Sequence, residues 1–161
     1  MKKMIIFISI IVVIFAALIF VVNYQNSQKI DEANNPYGTT DLDQATIDQI
    51  GNENYQNQIM PDELEEKLSN GEDVTVYFYS PTCSYCQQTT PVIVPLTEDL
   101  GVDLVKMNLL EFAAPGHQHN IQSTPTIVHF ENGEESARIV GAQSEANFEA
   151  FFQQEVLGSE S

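Results

Sequence analysis

Residues 4–22 form an unbroken apolar run, MIIFISIIVVIFAALIFVV, which contains no charged side chain. At a rise of about 1.5 Å per residue, a helix of this length spans about 28 Å, close to the thickness of about 30 Å of a bilayer's hydrocarbon core. A helix satisfies all its backbone polar groups internally, as a hydrocarbon environment requires. The run therefore predicts one N-terminal transmembrane helix, and the folded domain must be built from the residues that follow it.

The basic residues around this run predict its orientation. Lys2 and Lys3 precede it, and the next basic residue is Lys29. Because positive residues stay on the cytoplasmic side, we expect residues 1–3 to form a cytoplasmic stub and the chain beyond Asn23 to lie outside the cytoplasmic membrane. The alternative is a cleaved secretory signal. Such signals usually have a shorter apolar core and end in a small-residue cleavage site, which the run does not show.

Charge is distributed unevenly along the chain. The net charge is −17, and all 23 acidic residues lie at Asp31 or beyond, where the basic residues are Lys67, Lys106 and Arg138. This excess of negative charge has the wrong sign for binding nucleic acid or an anionic lipid surface. We interpret it as a source of solubility and expect no nucleic-acid partner. Contact with the lipid bilayer is expected only through residues 4–22.

Composition divides the rest of the chain. Residues 23–57 are rich in Asn, Gln, Asp and Thr and poor in apolar residues, which predicts a polar linker with a short helix over residues 41–50. Residues 58–157 are numerous enough to form one domain with its own core. Residues 158–161 are left as a tail.

Patterns within residues 58–157 predict helices mixed with strands. The run DVTVYFY at residues 73–79 is typical of a central strand that is buried on both faces. The other predicted elements are a short helix over residues 61–70, a helix from Thr82 to about Asp99, a strand at residues 102–108, a hairpin at residues 125–141 that turns at Asn132-Gly133, and a last helix capped by Ser144. This order predicts an α/β sandwich built around one sheet.

The two cysteines of the chain, Cys83 and Cys86, directly follow the predicted central strand. If Thr82 caps the next helix, Cys83 lies in the first turn, where free N–H groups and the helix dipole stabilise a thiolate. Cysteines of C-x-x-C motifs at helix starts have pKa values of about 3.5–7.5, against about 8.5 for a free thiol. Cys86, one turn later, is close enough to attack a mixed disulfide at Cys83. The pair therefore predicts a dithiol that exchanges disulfides.

Three other interpretations of the cysteines compete with this one, and the least favoured of them is a pair of inert buried thiols. A structural zinc site needs four ligands, and the other candidates are His117, His119 and His129, but His117-x-His119 lacks the usual ligand spacing. A permanent disulfide suits an oxidising compartment, but one that closes so short a loop adds little stability. We therefore predict no metal, and no cofactor other than the redox-active disulfide between Cys83 and Cys86.

Taken together, residues 58–157 resemble the thioredoxin family. The C-x-x-C motif follows a strand, Pro91 comes five residues after Cys86, and the loop Ser123-Thr124-Pro125-Thr126 precedes a strand, an Asn-Gly turn, a second strand and a glycine. Each motif alone is weak, but here they occur in the family's order. The resemblance implies a thioredoxin-like sandwich, in which helices flank a central mixed sheet.

The resemblance also implies roles for single residues. The bond between Thr124 and Pro125 is expected to be cis, the loop to border Cys83, and the Thr124 backbone to pair with an extended substrate. Ser84 and Tyr85 lie between the cysteines and are expected to contribute to substrate binding. Pro91, in the helix that follows, is counted among the supporting residues.

Three further residues are expected to support the dithiol. Lys106 stands where the family often has a buried lysine. Tyr77 replaces an acidic residue that the family often has in the strand before the motif, and Thr82 replaces the tryptophan that usually precedes the first cysteine. These departures suggest a specialised extracytoplasmic member of the family rather than a general cytosolic reductant.

The resulting hypothesis is a membrane-anchored thiol–disulfide oxidoreductase in which Cys83 attacks and Cys86 resolves. The dipeptide Ser84-Tyr85 predicts a redox potential above about −270 mV and below about −120 mV, so the net direction stays open. Expected partners are exported or membrane proteins with cysteines, together with a membrane or extracytoplasmic redox partner, and the chain is expected to be a monomer. The alternative is a redox-inactive accessory or chaperone-like module that binds exported proteins.

Overall fold

The structure, a computed structural model, describes residues 2–29 and 35–158. It divides into two compact units, Met1–Thr40 and Asp41–Ser161. Met1 of the predicted stub, residues 30–34 of the predicted linker and residues 159–161 of the predicted tail lie outside the described residues.

The first unit contains one long helix, α1 (Lys2–Lys29). Its segment Met4–Ser27 contains an 18-residue window with a mean hydropathy of 3.5 and is long and apolar enough to cross a membrane, a criterion that a signal sequence also meets. The helix continues past the predicted span into residues 23–29, which we had assigned to the linker. No proline or glycine occurs between that span and Pro36, so nothing in the sequence stops the helix there.

The second unit is built on a four-stranded sheet in the order β2-β1-β3-β4. The strands are β1 (Val74–Tyr79), β2 (Leu104–Asn108), β3 (Thr126–Glu131) and β4 (Glu134–Val140). Strand β1 pairs parallel with β2 and antiparallel with β3, which pairs antiparallel with β4. Every residue of β1 is buried, as its continuous apolar run predicts.

Helices cover both faces of this sheet. They are α2 (Gln44–Ile47), α3 (Pro61–Ser69), α4 (Ser84–Leu100), α5 (Ala113–Gln118) and α6 (Glu145–Phe151), with a 3₁₀ turn at Glu53–Tyr55 and a π-helical turn at Phe152–Val156. The predicted α/β sandwich with a central mixed sheet is confirmed. Helix α5 was not predicted, because Pro115 and Gly116 lie inside it and both residues normally indicate a loop.

Successive side chains of each strand point to opposite faces of the sheet, so the core consists of two clusters, one on each face. On one face Tyr77, Tyr79 and Ile127 pack against residues of α4, α6 and the π-helical turn. On the other face Val76, Phe78, Met107 and Val128 pack with Leu64 of α3. Both cysteines belong to the first cluster, so the cysteine pair lies on the face of the sheet that α4 and α6 cover.

The compact unit begins earlier than the domain boundary that we predicted at residue 58. Thr46 and Ile47 of α2 are buried, although they lie in the predicted linker. The Lys106 N–H donates to the Asn57 carbonyl, and the Ile59 N–H donates to the Lys106 carbonyl, both at 2.9 Å. Residues 57–59 thus run along the outer edge of β2. This pairing uses backbone groups only, so no apolar pattern in the sequence predicts it.

The β3–β4 turn has the predicted geometry. Asn132 and Gly133 have φ angles of 50° and 79°, as a two-residue type I′ hairpin requires. A Cβ atom added at Gly133 would overlap the backbone carbonyl of Leu68, at the end of α3. Glycine is therefore favoured at position 133 for two reasons, because the backbone is left-handed and because the end of α3 leaves no room for a side chain.

Replacing Gly133 by alanine tests both reasons, with Gly101→Ala as the matched control. Gly101 also has a positive φ, 73°, but open space surrounds its Cβ position. We expect Gly101→Ala to lower the free energy of unfolding by about 1–2 kcal/mol, the usual cost of a left-handed alanine. Gly133→Ala should cost more. Urea unfolding of the detergent-solubilised chain, followed by circular dichroism, measures both, and equal losses would contradict the steric argument.

Candidate functional site

The site is built where β1 ends and α4 begins. We had predicted Thr82 as the helix cap, but the structure places Cys83 at the N-cap, with φ −81° and ψ 115°. The Cys83 Sγ atom itself accepts a hydrogen bond from the Cys86 N–H at 3.3 Å. The Thr82 hydroxyl instead hydrogen-bonds the Ser80 hydroxyl at 3.0 Å. The sulfur therefore occupies the position of a capping oxygen, which brings it closer to the free N–H groups than a place in the first turn.

Cys83 is an acidic thiol in these surroundings. Burial of its sulfur disfavours the charged form, but hydrogen bonds with the side chains of Cys86 and Thr124 stabilise the thiolate. Backbone N–H groups of Cys86 and Tyr85 at the helix start add to this. Together they outweigh burial and lower the pKa of Cys83 below its ordinary value.

Cys86 has the opposite character. Its side chain is 1% exposed. Burial, followed by its hydrogen bond to the Cys83 side chain, raises the pKa of Cys86 to about 12. The structure carries both cysteines as free thiols. One sulfur is thus prepared to attack from a partly exposed position, while the other is held protonated beneath it.

The loop before β3 lies against Cys83. The peptide bond between Thr124 and Pro125 is cis, and the Cys83 Sγ atom donates to the Thr124 carbonyl at 3.4 Å. The Pro125 carbonyl in turn accepts from the Gly141 N–H at 2.8 Å, which ties the loop to the end of β4. The structure therefore brings Thr124 and Pro125 together with the cysteines. Their contact with a substrate stays a prediction.

The two residues between the cysteines lie on the surface. Ser84 is exposed and begins α4, and Tyr85 has a side chain that is 62% exposed. Both lie next to Cys83 and are accessible to a docking protein. Pro91 lies in the middle of α4 with its ring exposed, more than one helical turn beyond Cys86. Because proline has no N–H, one carbonyl of the helix lacks its usual partner.

Two predicted supporting residues lie side by side on the sheet, since Tyr77 and Lys106 are register partners in β1 and β2. The Tyr77 hydroxyl lies 3.1 Å from the Thr90 hydroxyl and 3.5 Å from the Cys86 carbonyl oxygen. Lys106 is also buried, and burial lowers its pKa. Its ammonium donates to the Gln56 carbonyl at 2.9 Å, at the sheet edge. The geometry thus joins Tyr77, but not the Lys106 ammonium, to the cysteine pair.

Two histidines of the zinc hypothesis, His119 and His129, contact side chains other than the cysteines. The ring of His119 packs against Phe78 and Phe130, with centroids 5.6 and 5.3 Å away. His129 is buried in β3, where its Nδ1 atom is 2.9 Å from the hydroxyl of its β1 neighbour Thr75. Within residues 2–29 and 35–158, no group of three or more His, Cys, Asp or Glu side chains is arranged to hold a metal ion.

Sequence reasoning missed two residues near Cys86. Thr90, four residues later on α4, donates to the Cys86 carbonyl at 2.8 Å. Tyr55 packs against the cluster that contains Cys86, with its ring centroid 5.7 Å from that of Tyr79, although it lies in the segment predicted as linker. The spacing of Thr90 was a usable signal, since residues i and i+4 share a helix face. Nothing local in the sequence identifies Tyr55.

Comparison with known proteins agrees with this geometry. The family model described as thioredoxin matches residues 54–154, more than half of the chain. The chain belongs to the thioredoxin family. A thioredoxin of Rickettsia bellii (strain RML369-C) is 37% identical over 79 residues, which cover 48% of this chain and 75% of that protein.

Solved thioredoxin structures share the fold. A mutant thioredoxin from Halobacterium salinarum NRC-1 superposes with a TM-score of 0.53 at 26% identity, over 61% of this chain and 88% of that one. Mitochondrial thioredoxin 3 from Saccharomyces cerevisiae gives a TM-score of 0.55 at 19% identity, over 63% and 98% of the two chains, which supports the fold alone. Membership in the thioredoxin family supports a general thiol–disulfide oxidoreductase activity through the Cys83–Cys86 pair.

The difference in acidity between the two thiols is open to direct test. Alkylation of the reduced chain by iodoacetamide should rise with pH through a midpoint below about 8.5, because Cys83 reacts as its thiolate. In Cys83→Ser the remaining thiol, Cys86, should react slowly even at about pH 9, since burial still opposes its ionisation. Cys86→Ala should keep the fast reaction. A fast reaction in Cys83→Ser would contradict the assignment.

Proposed function

We propose that this chain is a membrane-anchored thiol–disulfide oxidoreductase that acts on extracytoplasmic protein thiols and disulfides. The observation that carries the proposal is the unequal pair of sulfurs at the start of α4. Cys83 is partly exposed with a lowered pKa, while Cys86 is buried with a raised one. A thiol of lowered pKa attacks a disulfide readily, and a protonated partner does not compete with it for the substrate.

In the reductive direction the Cys83 thiolate attacks one sulfur of a substrate disulfide. A mixed disulfide forms, and the other substrate sulfur leaves as a thiolate. Cys86 then attacks Cys83, so that the Cys83–Cys86 bond forms and the second substrate sulfur leaves with its electron pair. The reverse steps transfer a disulfide to a substrate dithiol, and the potential of the redox partner sets the net direction.

The surface around Cys83 supports a protein as the substrate. Tyr85 presents an exposed ring beside the attacking sulfur, and Ser84 adds a hydroxyl on the same helical turn. Across from them, the loop at Thr124 and Pro125 offers backbone groups next to Cys83. An extended segment that carries a cysteine can therefore lie between the loop and the start of α4, with its sulfur near Cys83.

The anchor supports the location that we propose. Helix α1 contains a span of 24 residues, and an 18-residue window of it has a mean hydropathy of 3.5 and is not buried within the chain. The lysines before this span favour a cytoplasmic N-terminus. The oxidoreductase domain then faces the extracytoplasmic side, where exported and membrane proteins expose cysteines. A redox partner in or near the membrane would restore the dithiol or disulfide after each turnover.

Removing the resolving thiol tests the activity. In cells that express Cys86→Ala, mixed disulfides through Cys83 should accumulate, because the second attack is lost. They should appear as larger species on non-reducing gels and disappear with dithiothreitol. The double variant Cys83→Ala/Cys86→Ala is the control and should form none. If Cys86→Ala also forms none, and the wild type fails to reduce insulin, the alternative of a redox-inactive binding module is supported instead.

Membrane extraction and thiol labelling test the anchor and its orientation. The full-length chain should stay in the membrane during an alkaline carbonate wash, whereas a cleaved signal would release a shorter protein. After mild reduction of intact spheroplasts, a membrane-impermeant maleimide should label Cys83. The variant Cys83→Ser/Cys86→Ser provides the blank. Labelling that appears only after the cells are lysed would contradict an extracytoplasmic domain.

A further inference from the structure

A bulge in β4 brings two opposite charges to the same face of the sheet. Phe130 of β3 lies opposite Glu135 of β4. Two residues earlier in β3, Val128 lies opposite Arg138, so Ser136 is an extra residue in β4. On a regular strand, side chains three residues apart point to opposite faces. Because of the extra residue, both charged side chains instead share the face of Val128 and Phe130, which belong to the core cluster on the α3 side.

The two charged side chains form a fixed pair. The Arg138 guanidinium donates to both carboxylate oxygens of Glu135, through Nε at 2.5 Å and through one terminal nitrogen. These hydrogen bonds lower the pKa of Glu135, so the carboxylate stays charged at neutral pH. A guanidinium that is held at two points keeps few orientations, and its other N–H groups therefore point in a defined direction.

These other N–H groups hold the beginning of the α5–β3 loop, residues 119–125. They donate to the backbone carbonyls of His119 at 3.1 Å and of Asn120 at 3.3 Å, directly after α5 ends. The last carbonyls of a helix have no partner within it, and a cation is favourable at that end. Arg138 thus supplies charged donors to the backbone at the point where the loop leaves the helix.

The other end of the α5–β3 loop is tied to the same strand. The Gly141 N–H, directly after β4, donates to the Pro125 carbonyl at 2.8 Å. Between these two ties lies Thr124, whose carbonyl accepts from the Cys83 Sγ atom at 3.4 Å. Strand β4 and the residue after it therefore hold both ends of the segment that borders the attacking sulfur, and Arg138 provides the tie at the start of this segment.

We propose that Arg138, held by Glu135, is a positioning residue for substrate docking, which keeps the α5–β3 loop in the shape that an extended polypeptide needs. This inference rests on the proposed thiol–disulfide exchange function. A loop that is ordered before binding lowers the free-energy cost of docking. The guanidinium donates to Glu135 and to loop carbonyls rather than to Cys83. The ion pair should therefore act on the affinity for a polypeptide and leave the reactivity of the Cys83 thiolate unchanged.

Two disulfides with the same leaving group separate docking from reactivity. One is Ellman's reagent, which is too small to extend along the loop. The other is a short extended peptide whose single cysteine carries thionitrobenzoate as a mixed disulfide. With either one, the Cys83 thiolate forms a disulfide with the substrate sulfur, the old S–S bond breaks, and thionitrobenzoate leaves as a thiolate with the electron pair. A Cys86→Ala parent limits the reaction to this step.

Stopped-flow absorbance of the released thionitrobenzoate gives the rates on the reduced, detergent-solubilised full chain. Relative to the Cys86→Ala parent, we expect Arg138→Gln to raise the half-saturating peptide concentration about fivefold, since two loop carbonyls lose a charged donor and the loop must be ordered on binding. The limiting rate with the peptide and the rate with Ellman's reagent should stay unchanged, because Cys83 keeps its surroundings.

Two further variants separate loop positioning from the electric field of this acidic domain. Arg138→Gln makes the domain more negative by one charge, whereas Glu135→Gln makes it less negative by one. A field effect on a charged peptide would have opposite signs in these two variants, whereas loss of the ion pair should weaken peptide binding in both. Lys67→Gln removes a positive charge that pairs with Glu72, and it should bind the peptide as the parent does.

The outcomes distinguish the inference from the proposed function. If the parent forms no mixed disulfide with the peptide, the proposed function fails, and the inference fails with it. If the parent reacts and Arg138→Gln leaves the half-saturating concentration unchanged, only the role of Arg138 is overturned. That role is also overturned if the rate with Ellman's reagent falls in the same proportion, which indicates a general loss of structure, or if Arg138→Gln and Glu135→Gln shift peptide binding in opposite directions.

Discussion

The hydrogen bond from the Cys86 N–H to the Cys83 sulfur is the interaction on which the rest of the site depends. It joins the backbone of one cysteine of the motif to the sulfur of the other, at the first turn of α4. Helix caps are usually oxygens of Ser, Thr, Asp or Asn. Here a sulfur takes that place, and the N–H groups that a helix leaves unpaired become the groups that stabilise its negative charge. The same N–H groups therefore cap the helix and stabilise the Cys83 thiolate.

The sheet explains why a loop 41 residues away in the sequence meets this sulfur. Strand β3 runs antiparallel to β1, and the register pairs Phe78 with Thr126. The end of β1 and the beginning of β3 therefore lie at the same end of the sheet, and the residues just before Thr126 must approach those just after Tyr79. Both strands are buried for most of their length, so their register is strongly specified. The pairing of β1 with β3 therefore fixes the position of the Thr124 loop relative to Cys83.

Much of this arrangement was predictable because its signals are local. The apolar run of β1, the Asn132-Gly133 turn and the spacing of the cysteines each depend on a few consecutive residues. The parts that sequence reasoning missed depend on distant ones. The pairing of residues 57–59 with β2 uses backbone groups, which every sequence has, and the packing of Tyr55 against Tyr79 joins residues of separate elements. Helix α5 was hidden by Pro115 and Gly116, and the cap at Cys83 by the usual preference for an oxygen.

The strand-like segment at residues 57–59 has a consequence for how copies of the domain behave toward each other. An uncovered strand edge is a template for pairing with another chain. The segment covers one edge of the sheet, and the opposite edge, β4, begins with the acidic pair Glu134 and Glu135. A covered edge on one side and an acidic start of the strand on the other disfavour edge-to-edge pairing between copies of the domain.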